Sequence, residues 1–113
     1  MIHPGPAARV YVVCGATDMR KGYDGLYALV EHRVKQNPLS GHLFVFCNRQ
    51  RTRLKVLCWD GSGLWVCAKR LEQGRFRWPP SEEVARTLSA EEWMMLVGGL
   101  DVNRAQARRW YRK

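Results

Sequence analysis

The stretch "TRLKVLCWDGSGLWVCAKR", Thr52 to Arg70, contains two runs rich in β-branched, aromatic and aliphatic residues, separated by Asp-Gly-Ser-Gly. Polar and apolar side chains alternate along the first run, as they do in a strand with one buried face. The Asp-Gly pair supplies the positive φ that a tight hairpin requires. The stretch therefore predicts a β-hairpin whose turn contains Asp60, Gly61 and Gly63.

The flanking segments extend this hairpin into a β-meander. Upstream, "HLFVFC" (42–47) has the composition of a strand and "NRQR" (48–51) that of a polar connector. Downstream, "LEQG" (71–74) predicts another turn and "RFRW" (75–78) a short further strand. Two consecutive prolines then close the meander, because proline cannot donate a ladder hydrogen bond.

One more strand and two helices are predicted outside the meander. "ARVYVVC" (8–14) is typical of a strand, and apolar residues at helical spacing predict a helix from about Asp24 to Gln36. Ser89 and Glu92 form an S-x-x-E capping box ahead of a second amphipathic run. That run predicts a short helix, which ends near the Gly-Gly pair at 98–99.

These elements predict an α+β fold with a single domain. We expect an antiparallel β-meander sheet of about four to six strands with two short helices packed on one face. The predicted domain spans residues 8–102, between a flexible leader (1–7) and a basic C-terminal tail (103–113).

The charge of the chain points to a polyanionic partner. Nineteen Lys and Arg residues against ten Asp and Glu give a formal net charge of +9 and a pI near 10.0. The sequence contains no apolar run of the ~20 residues that span a bilayer. The N-terminus lacks the charged start and apolar core of a signal peptide, so we expect a cytoplasmic protein without a membrane partner.

Metal, cofactor and catalytic motifs are missing from the sequence. The four cysteines lie within apolar stretches with no C-x-x-C pair, which favours small buried hydrophobes in a reducing compartment over a zinc site. There is no P-loop, dinucleotide fingerprint or nucleophile motif, and the few acidic residues near loops are explained by turns and helix starts. The sequence therefore predicts no metal, no cofactor and no catalytic residue, and a small metal-dependent nuclease is disfavoured.

Basic residues follow the predicted strands and connectors and are interleaved with Trp59, Trp65 and Trp78. Alternation predicts that Arg51, Arg53 and Lys55 lie on one face of a strand. Such a surface can grip phosphates and stack on bases. The alternative is that the tryptophans are core residues and the charges form a solvated sheet face. The basic composition of the chain favours DNA contact, and the candidate residues are Arg20, Lys21, Arg49, Arg51, Arg53, Lys55, Lys69, Arg70, Arg75 and Arg77.

The segment "TDMRKGYDGL" (17–26) is unusually charged for a strand-to-helix connection. In one interpretation, Thr17 or Asp18 caps the turn, and Arg20 and Lys21 are displayed beside helix N–H groups for phosphate. In the other, Asp18 and Arg20 pair internally and only fix the corner. The residues leave both interpretations open.

The chain closely resembles the TnpB-type accessory proteins encoded by the second open reading frame of insertion sequence sixty-six elements. The resemblance covers about residues 9–79 and rests on "GATDMRKGYDGL", "GHLFVF", "RLKVLCWDGSGL" and "AKRLEQGRFRWP" in this order. The matching motif positions are Thr17, Asp18, Met19, Arg20, Lys21, Gly22, Asp24, Gly25, Leu26, Gly41, His42, Phe44, Phe46, Lys55, Trp59, Asp60, Gly61, Gly63, Lys69, Arg70, Leu71, Gly74, Phe76 and Trp78.

The resemblance implies a non-catalytic accessory factor that acts in DNA transposition beside a separate, larger transposase. It supplies no catalytic residue to transfer. We expect the protein to contact DNA, with the terminal inverted repeats of the element as the candidate target. The alternative is a protein-interaction module that docks on an acidic transposase surface without recognising DNA specifically. The oligomeric state, including a homo-oligomer, is left open.

Overall fold

The computed structural model describes residues 8–99, so the predicted leader (1–7) and basic tail (103–113) lie outside the described residues. Within this range the chain forms a single compact domain with five strands and two α-helices, which confirms the α+β fold class. In chain order the elements are β1 Val10–Ala16, α1 Tyr23–Leu29, β2 Leu43–Cys47, β3 Arg53–Trp59, β4 Leu64–Arg70, β5 Ala85–Leu88 and α2 Ala90–Val97.

The strands form one mixed sheet in the order β4-β3-β2-β1-β5. β2 pairs antiparallel with β3, β3 with β4, and β1 with β5, but β1 and β2 are parallel. The sheet is therefore mostly antiparallel, with one parallel pair that the predicted meander did not include. This pairing follows from the β1–α1–β2 order, because a helix between two strands is the usual crossover of a parallel pair.

Strand alternation divides the core into two layers, one on each face of the sheet. Val12, Val45 and Val56 belong to the cluster that buries α2, through Trp93 and Leu96. The alternate residues, among them Val13, Phe44 and Leu57, pack with Leu26 and Val30 of the α1 region. The two helices therefore lie on opposite faces, and the expectation that both pack on one face was wrong.

The β3–β4 hairpin is confirmed, with its turn at Asp60–Gly63. Gly61 adopts φ +101°, which a side chain would strain. The Asp60 carboxylate accepts hydrogen bonds from the backbone N–H groups of Ser62 and Gly63, both at 2.9 Å. The turn is therefore stabilised by its own side chain as well as by the glycine.

Both predicted helices are present, with differences at their ends. α1 continues as a π-helical turn, Val30–Val34, and stops at Lys35, which adopts the left-handed conformation with φ 62°. For α2 the capping box is complete: Ser89 Oγ accepts from Glu92 N–H at 3.1 Å, and Glu92 Oε1 accepts from Ser89 N–H at 2.9 Å. Gly98 is the C-cap of α2, as predicted.

The predicted strand at 75–78 is wrong, because these residues lie outside the sheet and Trp78 N–H donates to Phe76 O at 3.0 Å, as in a tight turn. Phe76 and Trp78 pack instead against the α2 side of the core. The additional strand is β5, which follows the two prolines and pairs with β1 through Ala85–Leu88.

The cysteines are free thiols, of which Cys14 and Cys47 are buried and Cys58 and Cys67 are half-buried. Burial raises the pKa values of the Cys47 and Cys58 thiols, so both favour the neutral form. Within residues 8–99, no helix is long and apolar enough to cross a membrane.

Candidate nucleic-acid interface

The ends of β1, β2 and β4 lie together at one end of the sheet. β1 and β2 run parallel, and two antiparallel steps give β4 the same direction as β2. Thr17 N–H donates to Cys47 O at 2.8 Å, and Leu71 N–H donates to Thr52 O at 2.9 Å. The loops after the three strands therefore converge, although 54 positions separate the first from the last.

These loops bring together most of the predicted basic residues. We call this set the basic rim and define it as Arg20, Lys21, Arg49, Arg51, Arg53, Arg70 and Arg75. Within residues 8–99, the guanidinium groups of Arg49, Arg53 and Arg75 make no hydrogen bond or ion pair. They are therefore available to an external anion.

The first loop contains an internal ion pair. The Arg20 guanidinium donates to both carboxylate oxygens of Asp18, with a shortest distance of 2.8 Å, and Arg20 N–H also donates to Asp18 Oδ1 at 2.9 Å. These hydrogen bonds from Arg20 lower the pKa of Asp18 to about 2. The structure therefore shows the internal pair of Asp18 and Arg20. The Arg20 side chain is nevertheless 91% exposed.

The rest of the first loop shapes the corner. Thr17 is buried, and Asp24 lies in the first turn of α1. The N-cap is Gly22, which has no side chain to cap the helix. A Cβ on Gly25 would approach the Lys21 side chain to 3.1 Å. Because α1 has only seven residues, its helix dipole is small and its N-terminus adds little to an anion site.

The second loop is organised by Asn48, a residue that the sequence reasoning missed. Asn48 Oδ1 accepts from Thr52 N–H at 2.9 Å and from Arg53 N–H at 3.1 Å. Its Nδ2 donates to Thr52 Oγ1 at 3.2 Å. These bonds hold the turn at the start of β3 and leave the Arg49 side chain exposed. The Asn directly after an apolar strand was the available signal.

The prediction that Arg51 shares a strand face with Arg53 and Lys55 was wrong. Arg51 precedes β3, adopts φ 62°, and directs a terminal nitrogen to Cys14 O at 3.1 Å. Its guanidinium lies 5.5 Å from the centroid of the Trp78 ring. Arg51 therefore links the rim to the α2 side of the sheet.

Arg53 and Arg70 are directly opposite each other on β3 and β4. Like charges at opposed positions repel, and Glu72 offsets this repulsion by accepting from Arg70 Nε at 3.1 Å. Lys55 Nζ donates to Lys21 O at 2.9 Å and so fastens the first loop to β3.

Lys69 lies away from the rim. Its side chain is on the α2 face and donates to Val97 O at 2.7 Å, at the C-terminus of α2. A cation there satisfies a terminal carbonyl and interacts favourably with the helix dipole. Arg77 lies in the irregular segment after the rim, where it lines a groove together with Arg86 of β5. Arg86 was not among the predicted residues, because nothing local in the sequence indicates β5.

The three tryptophans do not form one stacking surface. Trp59 and Trp65 lie at the opposite end of the sheet from the rim, and Trp65 Nε1 donates to Asp60 Oδ2 at 2.6 Å. Trp65 is 55% exposed and therefore not a core residue. Trp78 alone lies beside the rim, and its Nε1 donates to Val13 O at 2.8 Å.

Among the described residues, no group of three or more His, Cys, Asp or Glu side chains could hold a metal ion. The rim loops contain two acids, Asp18 and Glu72, and each is paired with an arginine. The arrangement at the rim is suited to binding an anion.

The fold and the rim define a small basic α+β protein with a cation-rich end. Residues 8–107 match the family described as IS66 Orf2 like protein, and the chain belongs to this family. The predicted resemblance is thereby confirmed. Membership indicates an accessory role in transposition.

Two relatives come from Sinorhizobium fredii (strain NBRC 101917 / NGR234). The uncharacterized protein y4jC is 40% identical over 106 residues, which cover 94% of this chain and 91% of the relative. The uncharacterized protein y4hO is 42% identical over 101 residues, which cover 89% and 88%. No solved structure matches the chain significantly.

Proposed function

We propose that this protein is a non-catalytic accessory factor of transposition that binds DNA through the basic rim and acts with a separate transposase. The observation that carries the proposal is the convergence of cations from three loops at one end of the sheet. Terminal inverted repeats of the element are the proposed target, and the cytoplasm is the proposed location.

Phosphate contact is the chemistry that this rim supports best. Exposed guanidinium groups donate paired N–H groups to phosphate oxygens, and release of condensed counterions then favours association. Among residues 8–99, the guanidinium groups of Arg49, Arg53 and Arg75 at the rim have no hydrogen-bond or ion-pair partner. Arg20 and Arg70 can reorient from their carboxylates, because exposed ion pairs are worth little in water.

A non-catalytic role agrees with the family and with the paired state of the two rim carboxylates. Hydrolysis of DNA by a metal-dependent route needs acidic ligands that converge on a divalent cation. In our proposal the chemistry of strand transfer belongs to the transposase, and this chain contributes the binding of DNA.

The test is a salt titration of purified protein with a labelled terminal-repeat duplex and a scrambled duplex of equal length. Tighter binding to the repeat that persists near physiological salt is the expected result. Equal and salt-labile binding to both duplexes would mean that the protein binds DNA through its charge alone and does not recognise the repeat. Tight binding of transposase together with no DNA binding would contradict the proposal and favour a protein-docking module.

A further inference from the structure

An open groove runs beside the basic rim on the α2 face of the sheet, between the segment 75–81, β5 and α2. Its volume of about 790 Å³ lies within the roughly 300–1,000 Å³ range of pockets that hold small molecules. Arg51, Arg75, Arg77 and Arg86 line it, together with Trp78. We call this site the arginine groove.

The lining combines positive charge with apolar surface. Besides the arginines, the groove is lined by Leu88, Met95 and Leu96. Glu92 is the acid in the lining, and its carboxylate already accepts the N-cap hydrogen bond of α2. A ligand with a flat apolar part and an anionic part matches this lining.

Arg51 is fixed at the wall of the groove by contacts with the rest of the fold. One terminal nitrogen donates to Cys14 O, but the other, Nη1, is buried without a hydrogen-bond partner among residues 8–99. The guanidinium also stacks near Trp78. Arg51 and Trp78 are therefore held together at the wall of the groove.

The groove continues the basic rim, because Arg51 and Arg75 belong to both. A DNA strand whose phosphates follow the rim would therefore reach the groove. A paired base is stacked inside the duplex and cannot enter, whereas an unpaired base can be placed in a pocket and contacted by its edge and face.

We propose that the arginine groove holds an unpaired nucleotide, so that the protein prefers DNA with a single-stranded segment over fully paired DNA. This inference rests on the proposed function, since the rim must bind the adjoining phosphates. Arg86 contacts the anionic part of the nucleotide.

The experiment compares a blunt duplex with the same duplex carrying a short single-stranded overhang, by fluorescence anisotropy at fixed salt. The wild-type protein should bind the overhang substrate about tenfold more tightly, as expected when one base gains a stacked and hydrogen-bonded site. R86Q should abolish this preference without changing affinity for the blunt duplex. The matched variant R49Q/R53Q should weaken binding of both substrates by the same factor.

A 2-aminopurine base in the overhang gives an independent readout. Its fluorescence should change on binding to wild type and not on binding to R86Q, whose fold is checked by its melting temperature. Equal affinity for both substrates, or a preference that R86Q retains, would overturn the groove proposal while salt-dependent duplex binding leaves the proposed function intact. Binding of neither DNA, with R86Q-sensitive binding of a labelled Glu-rich peptide, would overturn both and indicate protein docking.

Discussion

Asp18 and Asp60 are both exposed turn residues, yet they hold different partners. Asp18 accepts mainly from the side chain of Arg20, whereas Asp60 accepts from two backbone N–H groups, the Ser62 hydroxyl and Trp65 Nε1. These bonds favour the ionised carboxylates and lower both pKa values. Asp18 therefore sets the position of a rim cation, and Asp60 sets the geometry of the hairpin.

Asp60→Asn should lower the melting temperature at pH 7, because an amide places N–H donors where Trp65 Nε1 now donates to an oxygen. The folded-state pKa of Asp60 lies below its unfolded value, so its contribution to stability is complete above the unfolded pKa and is lost as pH falls through the folded pKa. The difference in melting temperature between wild type and D60N should therefore narrow below about pH 4.

Thermal unfolding from pH 7 to pH 2 measures this narrowing. Trp65→Phe serves as the control, because it removes the indole hydrogen bond to Asp60 but keeps the carboxylate and its bonds to the turn backbone. A difference between wild type and D60N that is constant with pH would show that the Asp60 hydrogen bonds do not stabilise the fold.

Arg51→Ala should destabilise the protein, since it removes the hydrogen bond to Cys14 O and the contact with Trp78. We expect a loss of about 1–3 kcal/mol in the free energy of unfolding, typical of a partly buried bond from a charged donor. Arg49→Ala in the same loop is the matched control and should stay within about 0.5 kcal/mol of wild type. Similar urea midpoints for the two variants would mean that Arg51 is a surface cation like Arg49.

At the scale of the element, α2 depends on its N-terminal cap. Ser89→Ala removes the oxygen that accepts from Glu92 N–H and should cost about 1 kcal/mol of unfolding free energy. Glu91→Gln, in the same turn but outside the capping box, should change stability by less than about 0.5 kcal/mol. Equal effects of the two substitutions in urea denaturation would contradict a stabilising cap.

The placement of the helices on opposite faces predicts energetic independence. Val30→Ala in the α1 layer and Leu96→Ala in the α2 layer belong to separate clusters. Their destabilisations should add to within about 0.5 kcal/mol, as for sites without shared partners. Val30→Ala combined with Phe44→Leu, both in the α1 layer, is the comparison that should deviate from additivity. Strong coupling between Val30 and Leu96 would contradict two separate layers.

Elements with strong local signals were predictable from the sequence. The Asp-Gly turn, the alternation in β3 and the capping box of α2 each depend on residues a few positions apart, and each is present. β5 has four residues, "ARTL", and exists because Val10–Val13 offer it an edge. The opposite placement of the helices depends on the parallel β1–β2 pair, which only the tertiary structure fixes.

At the scale of the whole molecule, the basic rim is a product of topology. The sequence identified its cations one by one, but their convergence requires β1, β2 and β4 to end at the same end of the sheet. The same topology places Lys69 at the C-terminus of α2, away from the rim, and places Arg86 in the lining of the groove. The basic residues could therefore be identified from the sequence, but the surface that they form together could not.

If the rim binds phosphates, removing two of its cations should reduce the salt dependence of DNA binding. Each phosphate contact contributes about 0.9 to the slope of log K against log salt, so R49Q/R53Q should lower the slope by about 2. Arg9→Gln combined with Lys35→Asn removes the same charge outside the rim, and asparagine tolerates the positive φ of position 35. A general attraction between net charge and DNA predicts equal changes in both variants, whereas a localised interface predicts a change in the rim variant alone. Anisotropy titrations from 50 to 200 mM salt, about the range over which such contacts are resolved, separate these outcomes.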